Sequence, residues 1–398
     1  MMPKENAYLE LLKFSLSPKE RDVPDCLSDI DWDSLLKFAN KQSILGIYAN
    51  VIVKDNQKFV DSKWMGNKPS RTNLIKWYGL LNIIENRNKL VDQKAIEVTK
   101  QYQNGGFETC ILKGQGNAAY YPNPLSRLSG DIDIWVIPEI DKDNTDRLKQ
   151  IVSFIKKTNA PEIMNKYHVE YHDNGISIEA HSVPAKFYIS SSDMELQKYF
   201  IAKKERNTKN SIFLNNKSGK INVPTADFNL VYQLLHSYKH FLSEGIGLRH
   251  VIDYYYLLKK VEWVDDVVYM NMWQANKNEV IAYIKKFGCF KFAGALSYII
   301  HEILGLEKEY MLIEPNRQEG EFLLCEILKS GNFGKFDERV NSIRRRTNHF
   351  SRYLSRILFK MRLINHYPQW VLMEPITYAI EFYDSRKYRK MLAKWMKE

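Results

Sequence analysis

The sequence predicts an α+β protein in which a small mixed β-sheet is flanked by helices and followed by a helical C-terminal domain. Residues 105–223 contain short apolar or alternating segments separated by turn residues, a pattern typical of β-strands. The chain before and after this part repeats apolar residues at helical spacing. We therefore expect an N-terminal helical region over 1–104, a sheet-containing core over 105–223 and a helical domain over 224–398.

One long helix, over about 71–102, is predicted immediately before the sheet. Ser70 is a typical N-cap residue, and Asn104-Gly105-Gly106 can end the helix because glycine readily adopts the backbone conformation found there. Since the helix leads into the first core strand at 110–112, we expect it to pack across the sheet. Its apolar stripe consists of Leu74, Trp77, Leu81, Ile84, Val91, Ala95, Val98 and Tyr102.

The later elements follow from the same signals. Asn174-Gly175 predicts a tight turn between two strands, so 167–181 reads as a hairpin. Pro224-Thr225 predicts a helix start. The pattern of residues 192–204 predicts neither a helix nor a strand. The other predicted elements are a helix over 145–157, a second hairpin joining 211–214 to 220–223, and helices over about 263–305, 318–330 and 335 to the end.

Two aspartates stand in the most informative strand. Polar and apolar residues alternate over 131–136, so Asp131 and Asp133 share one strand face, about 6.6 Å apart. Two adjacent carboxylates repel each other unless a cation lies between them. Their oxygens suit a hard ion such as Mg²⁺. A solvated strand face would explain a bare Asp-x-Asp pattern equally well, so the neighbouring segments have to decide.

Those segments favour the metal. The turn Lys113-Gly114-Gln115-Gly116 precedes the aspartates and opens a short helix predicted over 117–121, so it can offer backbone N–H groups to phosphate. Glu179 stands on the polar face of the strand that follows Asn174-Gly175. Three carboxylates on neighbouring strands beside such a turn suit metal-dependent nucleotidyl transfer.

Several short motifs support this interpretation as a set: Leu112-Lys113-Gly114, Tyr121-Pro122, Arg127, Asp131-Ile132-Asp133 and Ile178-Glu179-Ala180-His181. Together they resemble the motifs of a family of uncharacterised bacterial nucleotidyltransferases in the DNA polymerase β-like nucleotidyltransferase superfamily. The resemblance covers roughly residues 25–260. In the superfamily a Gly-Ser or Gly-Gly turn precedes the Asp-x-Asp or Asp-x-Glu strand, whereas here Gln115 follows the glycine.

The resemblance and the residue chemistry together imply a nucleotidyltransferase core at 105–223 that moves an NMP group from an NTP to a hydroxyl-bearing acceptor. Asp131, Asp133 and Glu179 are the expected catalytic residues and the expected ligands of Mg²⁺ or Mn²⁺ in a two-metal mechanism. Glu179 could instead act as general base. The expected phosphate-binding residues are Lys113, Gly114, Gln115 and Arg127.

Histidines form a second group of candidates. His236 and His240 are four residues apart on one helical face, and the family resemblance extends to this pair with Arg249 and Asp253. Packing, a cleft-lining role or a metal site could explain the pair, and we expect Arg249 and Asp253 to form a buried ion pair. His181 shares the face of Glu179 and could orient it or meet the acceptor. His168, Glu170 and His172 read as a solvated hairpin face, although they could approach the metals.

Composition limits the partners without choosing among them. The 398-residue chain has a net charge of +11, which favours polyanionic partners such as nucleotides, RNA or an acidic membrane surface. Residues 344–362 are rich in arginine and contain no acid, so a polyanion contact there is an alternative to ordinary packing. The acceptor stays open among a small molecule, a sugar, a protein and an RNA end.

Four scattered cysteines, together with the absence of a signal peptide or membrane-spanning segment, predict a cytoplasmic protein. They are Cys26, Cys110, Cys289 and Cys325. Two competing functions remain besides the transferase: a non-catalytic nucleotide-binding protein on the same fold, which Gln115 in place of serine would suit, and an RNA-end-modifying enzyme, which the basic segment would suit.

Overall fold

The computed structural model describes residues 3–24, 30–54, 68–140, 143–186, 190–214, 219–265, 272–345 and 348–398. It confirms the α+β prediction, since helices precede, flank and follow one mixed five-stranded sheet. The strands of that sheet are β1 (Phe107–Ile111), β2 (Ile132–Pro138), β3 (Ile163–Met164), β4 (His168–Asp173) and β5 (Ile176–His181).

The sheet order is β1-β2-β5-β4-β3, which places two strands far apart in sequence side by side. β2 and β5 are parallel, and every other neighbouring pair in this sheet is antiparallel. Their register sets Asp133 directly beside Glu179. The expectation that Asp133 and Glu179 lie on neighbouring strands is therefore confirmed, whereas Asp131 directly precedes β2.

The helices before and within the sheet region are α1 (Pro3–Leu16), α2 (Trp32–Gln42), α3 (Leu45–Lys54), α4 (Arg71–Asn104), α5 (Gln115–Ala118), α6 (Asn144–Ile155) and α7 (Ser190–Lys209). A small hairpin follows, β6 (Ser211–Phe213) with β7 (Lys220–Asn222). The helices after it are α8 (Ala226–Ser243), α9 (Leu248–Lys260), α10 (Lys277–Lys286), α11 (Phe290–Tyr298), α12 (Arg317–Ser330), α13 (Glu338–Arg344), α14 (His349–Lys360), α15 (Pro368–Leu372) and α16 (Glu374–Trp395).

The two faces of β2 pack against different helices. Ile132 and Ile134 are buried with apolar residues of α4 and α6, so the long helix crosses this face of the sheet as predicted. Asp133 and Trp135 point to the opposite face because side chains alternate along a strand. There Trp135 stacks on Phe228 of α8, with ring centroids 6.2 Å apart. The alternation therefore directs Asp133 toward the C-terminal helices.

The helices before the sheet and those after it share one apolar core. Tyr48 of α3 belongs to the same buried cluster as Phe241 of α8. Gln42 joins them by hydrogen bonds as well, since its amide nitrogen donates to the Ile327 carbonyl and its oxygen accepts from the Leu248 amide. Because the helices on both sides of the sheet share this core, the proposed domain boundaries at 104 and 223 stay predictions.

Some boundary predictions were wrong. The helix expected from residue 263 begins only at Lys277, because Glu262–Trp263 and Gln274–Ala275 form a short parallel pair, β8 with β9. The short helix expected over 117–121 is α5, which starts two residues earlier. The undecided segment 192–204 lies inside α7. Two features fall outside the described residues, Cys26 and the turn at 215–218 of the second hairpin. Among the helices described, none is long and apolar enough to cross a membrane.

Candidate active site

The three acidic residues converge at one end of the β2–β5 pair. Asp131 directly precedes β2, Asp133 lies within it and Glu179 lies in β5. One carboxylate oxygen from each comes within 4.8 Å of the others. Asp133 is buried, whereas Asp131 is exposed at the rim. The register of two parallel strands thus builds an oxygen-rich cluster that opens on one side.

Two cationic side chains contact this cluster. Lys113 Nζ lies 2.7 Å from Asp133 Oδ1. His181 Nε2 lies 3.2 Å from the same oxygen and 3.2 Å from Glu179 Oε2. The imidazole therefore joins Asp133 to Glu179, and the lysine adds a second positive charge at the deeper aspartate.

The pKa values of the two aspartates shift in opposite directions. The neighbouring Asp133 carboxylate raises the pKa of Asp131. Burial opposes ionisation of Asp133, but Lys113 and His181 hold its pKa below the usual value. Burial also disfavours imidazolium, yet the hydrogen bonds to Asp133 and Glu179 raise the pKa of His181. The site thus balances its buried negative charge with side chains of the same chain.

The glycine turn lies against the aspartates. Leu112 N donates to the Asp133 carbonyl at 2.9 Å, so the turn starts where β1 meets β2. Gly114 has φ 56° and ψ −110°, a conformation that favours glycine, and it precedes the first residue of α5. The Gln115 side chain is buried and donates to Ser129 Oγ at 3.1 Å. Gln115 therefore helps to fix the loop that leads to Asp131.

Arg127 has a different observed partner from the one we expected. Its Nε and Nη2 donate to the two oxygens of Asp253, at 2.8 and 2.7 Å. Tyr121 Oη donates to Asp253 Oδ1 at 2.6 Å. The predicted Arg249–Asp253 ion pair is wrong: Arg249 Nη1 donates instead to the Leu128 carbonyl. Both arginines tie the loop before Asp131 to α9, and phosphate contact by Arg127 stays a prediction.

The histidine pair of α8 lines the same cavity. Lys113 Nζ lies 3.5 Å from His236 Nε2. His240 Nδ1 lies 2.8 Å from Glu244 Oε1, so Glu244 fixes the orientation of this ring. Burial lowers the pKa of His236 and also that of His250, a neighbour from α9 that the sequence did not single out. This wall of the cavity contains imidazole rings whose burial disfavours their charged form.

His168 is closer to the acids than its hairpin position suggested. Its Nδ1 lies 3.6 Å from Glu179 Oε2, and it forms a second potential metal-binding group with Glu179 and His181. Burial lowers the pKa of His168 to about 4. His172, four residues later, pairs instead with Glu162 on the surface. Register decides the difference, because His168 stands opposite His181 in the antiparallel β4–β5 pair.

These residues surround one cavity of about 210 Å³. The acids and the glycine turn form its floor. Tyr167, Lys186 and Lys239 lie on the flank nearest Glu179, and Lys239 Nζ donates to Tyr167 Oη at 3.2 Å. His236, His240, His250 and Phe333 also line the cavity. Sequence reasoning missed Phe333 because no pattern joins it to the aspartates 200 residues earlier.

The basic segment at 344–362 lies outside this cavity and largely pairs with acids. Arg356 contacts Glu374 at 2.7 Å and Glu381 at 2.5 Å, and Lys360 contacts Glu374 as well. In the same segment, Arg344 pairs with Glu244 and Arg362 pairs with Glu326. The predicted polyanion contact therefore stays a prediction, with these four cations already engaged inside the molecule.

A glycine turn beside a carboxylate cluster on a mixed sheet is the arrangement expected of a nucleotidyltransferase. The comparison with known families agrees with this class. Residues 28–305, more than two thirds of the chain, match the family described as uncharacterised nucleotidyltransferase, and the chain belongs to that family. Family membership supports a role in nucleotidyl transfer. No curated protein and no solved structure matches the chain.

Proposed function

We propose that this protein is a metal-dependent transferase that moves an NMP group from an NTP to an acceptor hydroxyl and releases pyrophosphate. The observation that carries the proposal is the convergence of Asp131, Asp133 and Glu179 within 4.8 Å beside the Gly114 turn. The bond formed joins the α-phosphorus to the acceptor oxygen. The bond broken joins the same phosphorus to the oxygen that leaves with pyrophosphate.

The donor set fits a hard divalent cation. All three residues offer carboxylate oxygens, which Mg²⁺ and Mn²⁺ accept. Asp131 at the rim and the buried Asp133 would hold the ion, with Glu179 as a further ligand. When bound, such an ion stabilises negative charge on the phosphate oxygens during in-line displacement.

The other residues of the site have roles that follow from their contacts. Lys113 contacts Asp133 at the mouth of the turn, where its charge can also meet a phosphate oxygen. The backbone amides of Gly114 and Gln115 lie in the first turn of α5, where helical amides lack partners within the helix. Glu179, oriented by His181, can accept the proton of the acceptor hydroxyl if it is not a metal ligand.

The substitution Asp131→Asn, at the rim of the cavity, tests the proposal. Replacing Asp131 by Asn keeps the size of the side chain and removes its charge, and the exposed position keeps the cost to folding small. We expect Mg²⁺-dependent transfer of label from α-labelled NTPs onto fractionated cell extract to be lost. Unchanged turnover in this variant would refute the proposal. Extract fractions that contain only small molecules, only protein or only RNA identify the acceptor class.

Gln115 favours one second candidate, a non-catalytic nucleotide-binding protein. It stands where the superfamily usually has a serine, and its side chain is directed to Ser129. Calorimetry separates the two candidates, because this one binds NTP in a metal-dependent way without releasing pyrophosphate. An RNA-end-modifying enzyme is the special case in which the acceptor is RNA. It requires RNA binding that weakens steeply with added salt.

A further inference from the structure

A segment beyond the family match reaches into the cavity. The matched residues end at 305, whereas Phe333 lies in the short 3₁₀ turn Asn332–Gly334 between α12 and α13. Its side chain lines the cavity beside the histidines of α8 and α9. The family match therefore contains the acids and the glycine turn but not the whole cavity wall.

The backbone of Phe333 is held in an unfavourable conformation. Its φ of 53° and ψ of 33° lie in the left-handed region, which is rare for a bulky side chain. The surrounding contacts enforce this geometry. Arg344 Nη2 donates to the Phe333 carbonyl at 2.9 Å, and a Cβ at Gly334 would lie 2.1 Å from the Glu244 carbonyl oxygen. Strain of this kind concentrates at functional sites.

Phe333 completes a cluster of rings and one guanidinium. Its ring centroid lies 4.9 Å from that of His240 and 5.1 Å from that of His250. The Arg249 guanidinium lies over the Phe333 ring at 5.7 Å. The Phe333 ring packs on both imidazoles edge to face, so a planar ligand group would stack on the ring faces that remain open to the cavity.

Two polar atoms in this cluster have no hydrogen-bond partner in the part of the chain that the structure describes. They are His250 Nδ1 and Arg249 Nε, and both residues line the cavity. His250 is 7% exposed, so its ring is cut off from bulk water. A buried polar atom without a partner is costly. Both atoms are fully covered in this structure, so a ligand edge reaches them only if the neighbouring side chains shift.

The position of the cluster indicates which part of the substrate it meets. A row of contacts runs from the proposed phosphate site to Phe333. Lys113 contacts His236, and the His236 ring lies 4.4 Å from the ring of His240. The His240 ring in turn contacts the ring of Phe333. The cluster therefore extends from the phosphate turn along α8 to Phe333. Where Glu179 acts as the base, the acceptor lies beside Glu179, and the cluster that ends at Phe333 is left for the nucleoside.

We propose that Phe333, His240, His250 and Arg249 form the subsite for the nucleobase of the NTP. The rings provide stacking surfaces, and after a local side-chain shift the two unpartnered polar atoms can meet the hydrogen-bonding edge of the base. The inference rests on the proposed nucleotidyl transfer. It assigns base recognition partly to a segment outside the family match.

Binding measurements on the full-length protein test the subsite separately from catalysis. We would titrate α,β-methylene analogues of the four NTPs, which cannot be cleaved at the reacting bond, and inorganic tripolyphosphate, each with Mg²⁺, by calorimetry. Replacing Phe333 by Leu keeps an apolar side chain and removes the aromatic face. We expect it to weaken the best-bound nucleotide analogue roughly 5- to 100-fold, because stacking is lost, and to leave tripolyphosphate binding unchanged.

Two further variants control for folding. Phe333→Trp keeps an aromatic face and should bind the analogue within about threefold of the wild type, on the same stacking argument. Phe336→Leu is the matched control, since Phe336 lies in the same connection but lines a different cavity. It should bind as the wild type does.

Either of two results overturns the subsite. Phe333→Leu could bind the nucleotide analogue as tightly as the wild type, or it could weaken the analogue and tripolyphosphate equally. The proposed reaction fails on another measurement: a wild type that binds the analogues but transfers no label is not a transferase, whatever the Phe333 variants show.

Discussion

Replacing Arg127 by Met tests whether its main role is the buried ion pair or a phosphate contact. In the structure, Arg127 and Asp253 are 5% and 6% exposed and share two hydrogen bonds. Methionine keeps much of the volume but leaves the Asp253 carboxylate buried without a cation. Breaking a buried pair in this way costs roughly 3–5 kcal/mol. We expect that loss in the free energy of unfolding.

A second variant isolates the pair. Replacing Asp253 by Asn as well leaves no unpaired charge and keeps an acceptor for Tyr121 Oη. We therefore expect the double variant, Arg127→Met with Asp253→Asn, to be more stable than Arg127→Met alone. Urea unfolding followed by far-ultraviolet circular dichroism measures both differences. The single variant Asp253→Asn completes the cycle, and additive losses across it would show that the pair contributes no coupling.

The ion pair also predicts a pH dependence. Burial opposes ionisation of Asp253, but Arg127 holds its pKa below the usual value. The stability that this carboxylate contributes is present above its unfolded pKa of about 3.9 and is lost as pH falls through the folded pKa. Without Arg127, burial should raise the pKa of Asp253. The deficit of Arg127→Met should then be largest near neutral pH and decrease as pH falls toward about 5.

A phosphate-binding Arg127 would give the opposite pattern. The variant would then unfold as the wild type does, and its affinity for tripolyphosphate with Mg²⁺ would fall. That pair of results would refute the structural role derived from the hydrogen bonds to Asp253.

Two further predictions concern the turn and the imidazole. Gly114→Ala places a Cβ on a residue with φ 56°. We expect the free energy of unfolding to fall by about 1 kcal/mol or more, which would lower the midpoint of thermal unfolding. An unchanged midpoint would show that the turn tolerates a side chain. The second prediction concerns metal-free protein, prepared with a chelator. There the hydrogen bonds to Asp133 and Glu179 raise the pKa of His181 and stabilise the fold. This stabilisation is complete below the unfolded pKa of about 6.5 and is lost as pH rises through the higher folded pKa. The stability gap between wild type and His181→Ala should therefore shrink from pH 6 to 9, as measured by urea unfolding, and a constant gap would contradict the imidazolium.

Patterns with a short period gave the most reliable predictions. Alternation over 131–136 predicted β2, and Asn174-Gly175 predicted the β4–β5 hairpin. The cap at Ser70 and the glycines at 105 and 106 predicted α4 to within two residues. These signals are local, because the chain must bury one strand face or cap one helix end wherever the element lies.

Partner choice was less predictable. Arg249 and Asp253 are four residues apart on one helix, which made them an obvious pair, yet Asp253 binds Arg127 from a loop more than 100 residues earlier. A similar reversal occurs in α14. Its cations face acids of other helices, whereas Phe350 and Leu358 on its apolar side are 72% and 66% exposed. Sequence spacing shows which residues share a helix face, but not which surface that face meets.

The sequence by itself determined the fold class, the strand that contains Asp133 and the glycine turn before it, because each follows from chain-local geometry. Only the tertiary structure decided that β2 lies parallel to β5, which sets Asp133 beside Glu179. It also decided that His168, His250 and Phe333 join the same cavity. These contacts depend on how distant elements bury their apolar faces together, and no local pattern in the chain carries that information.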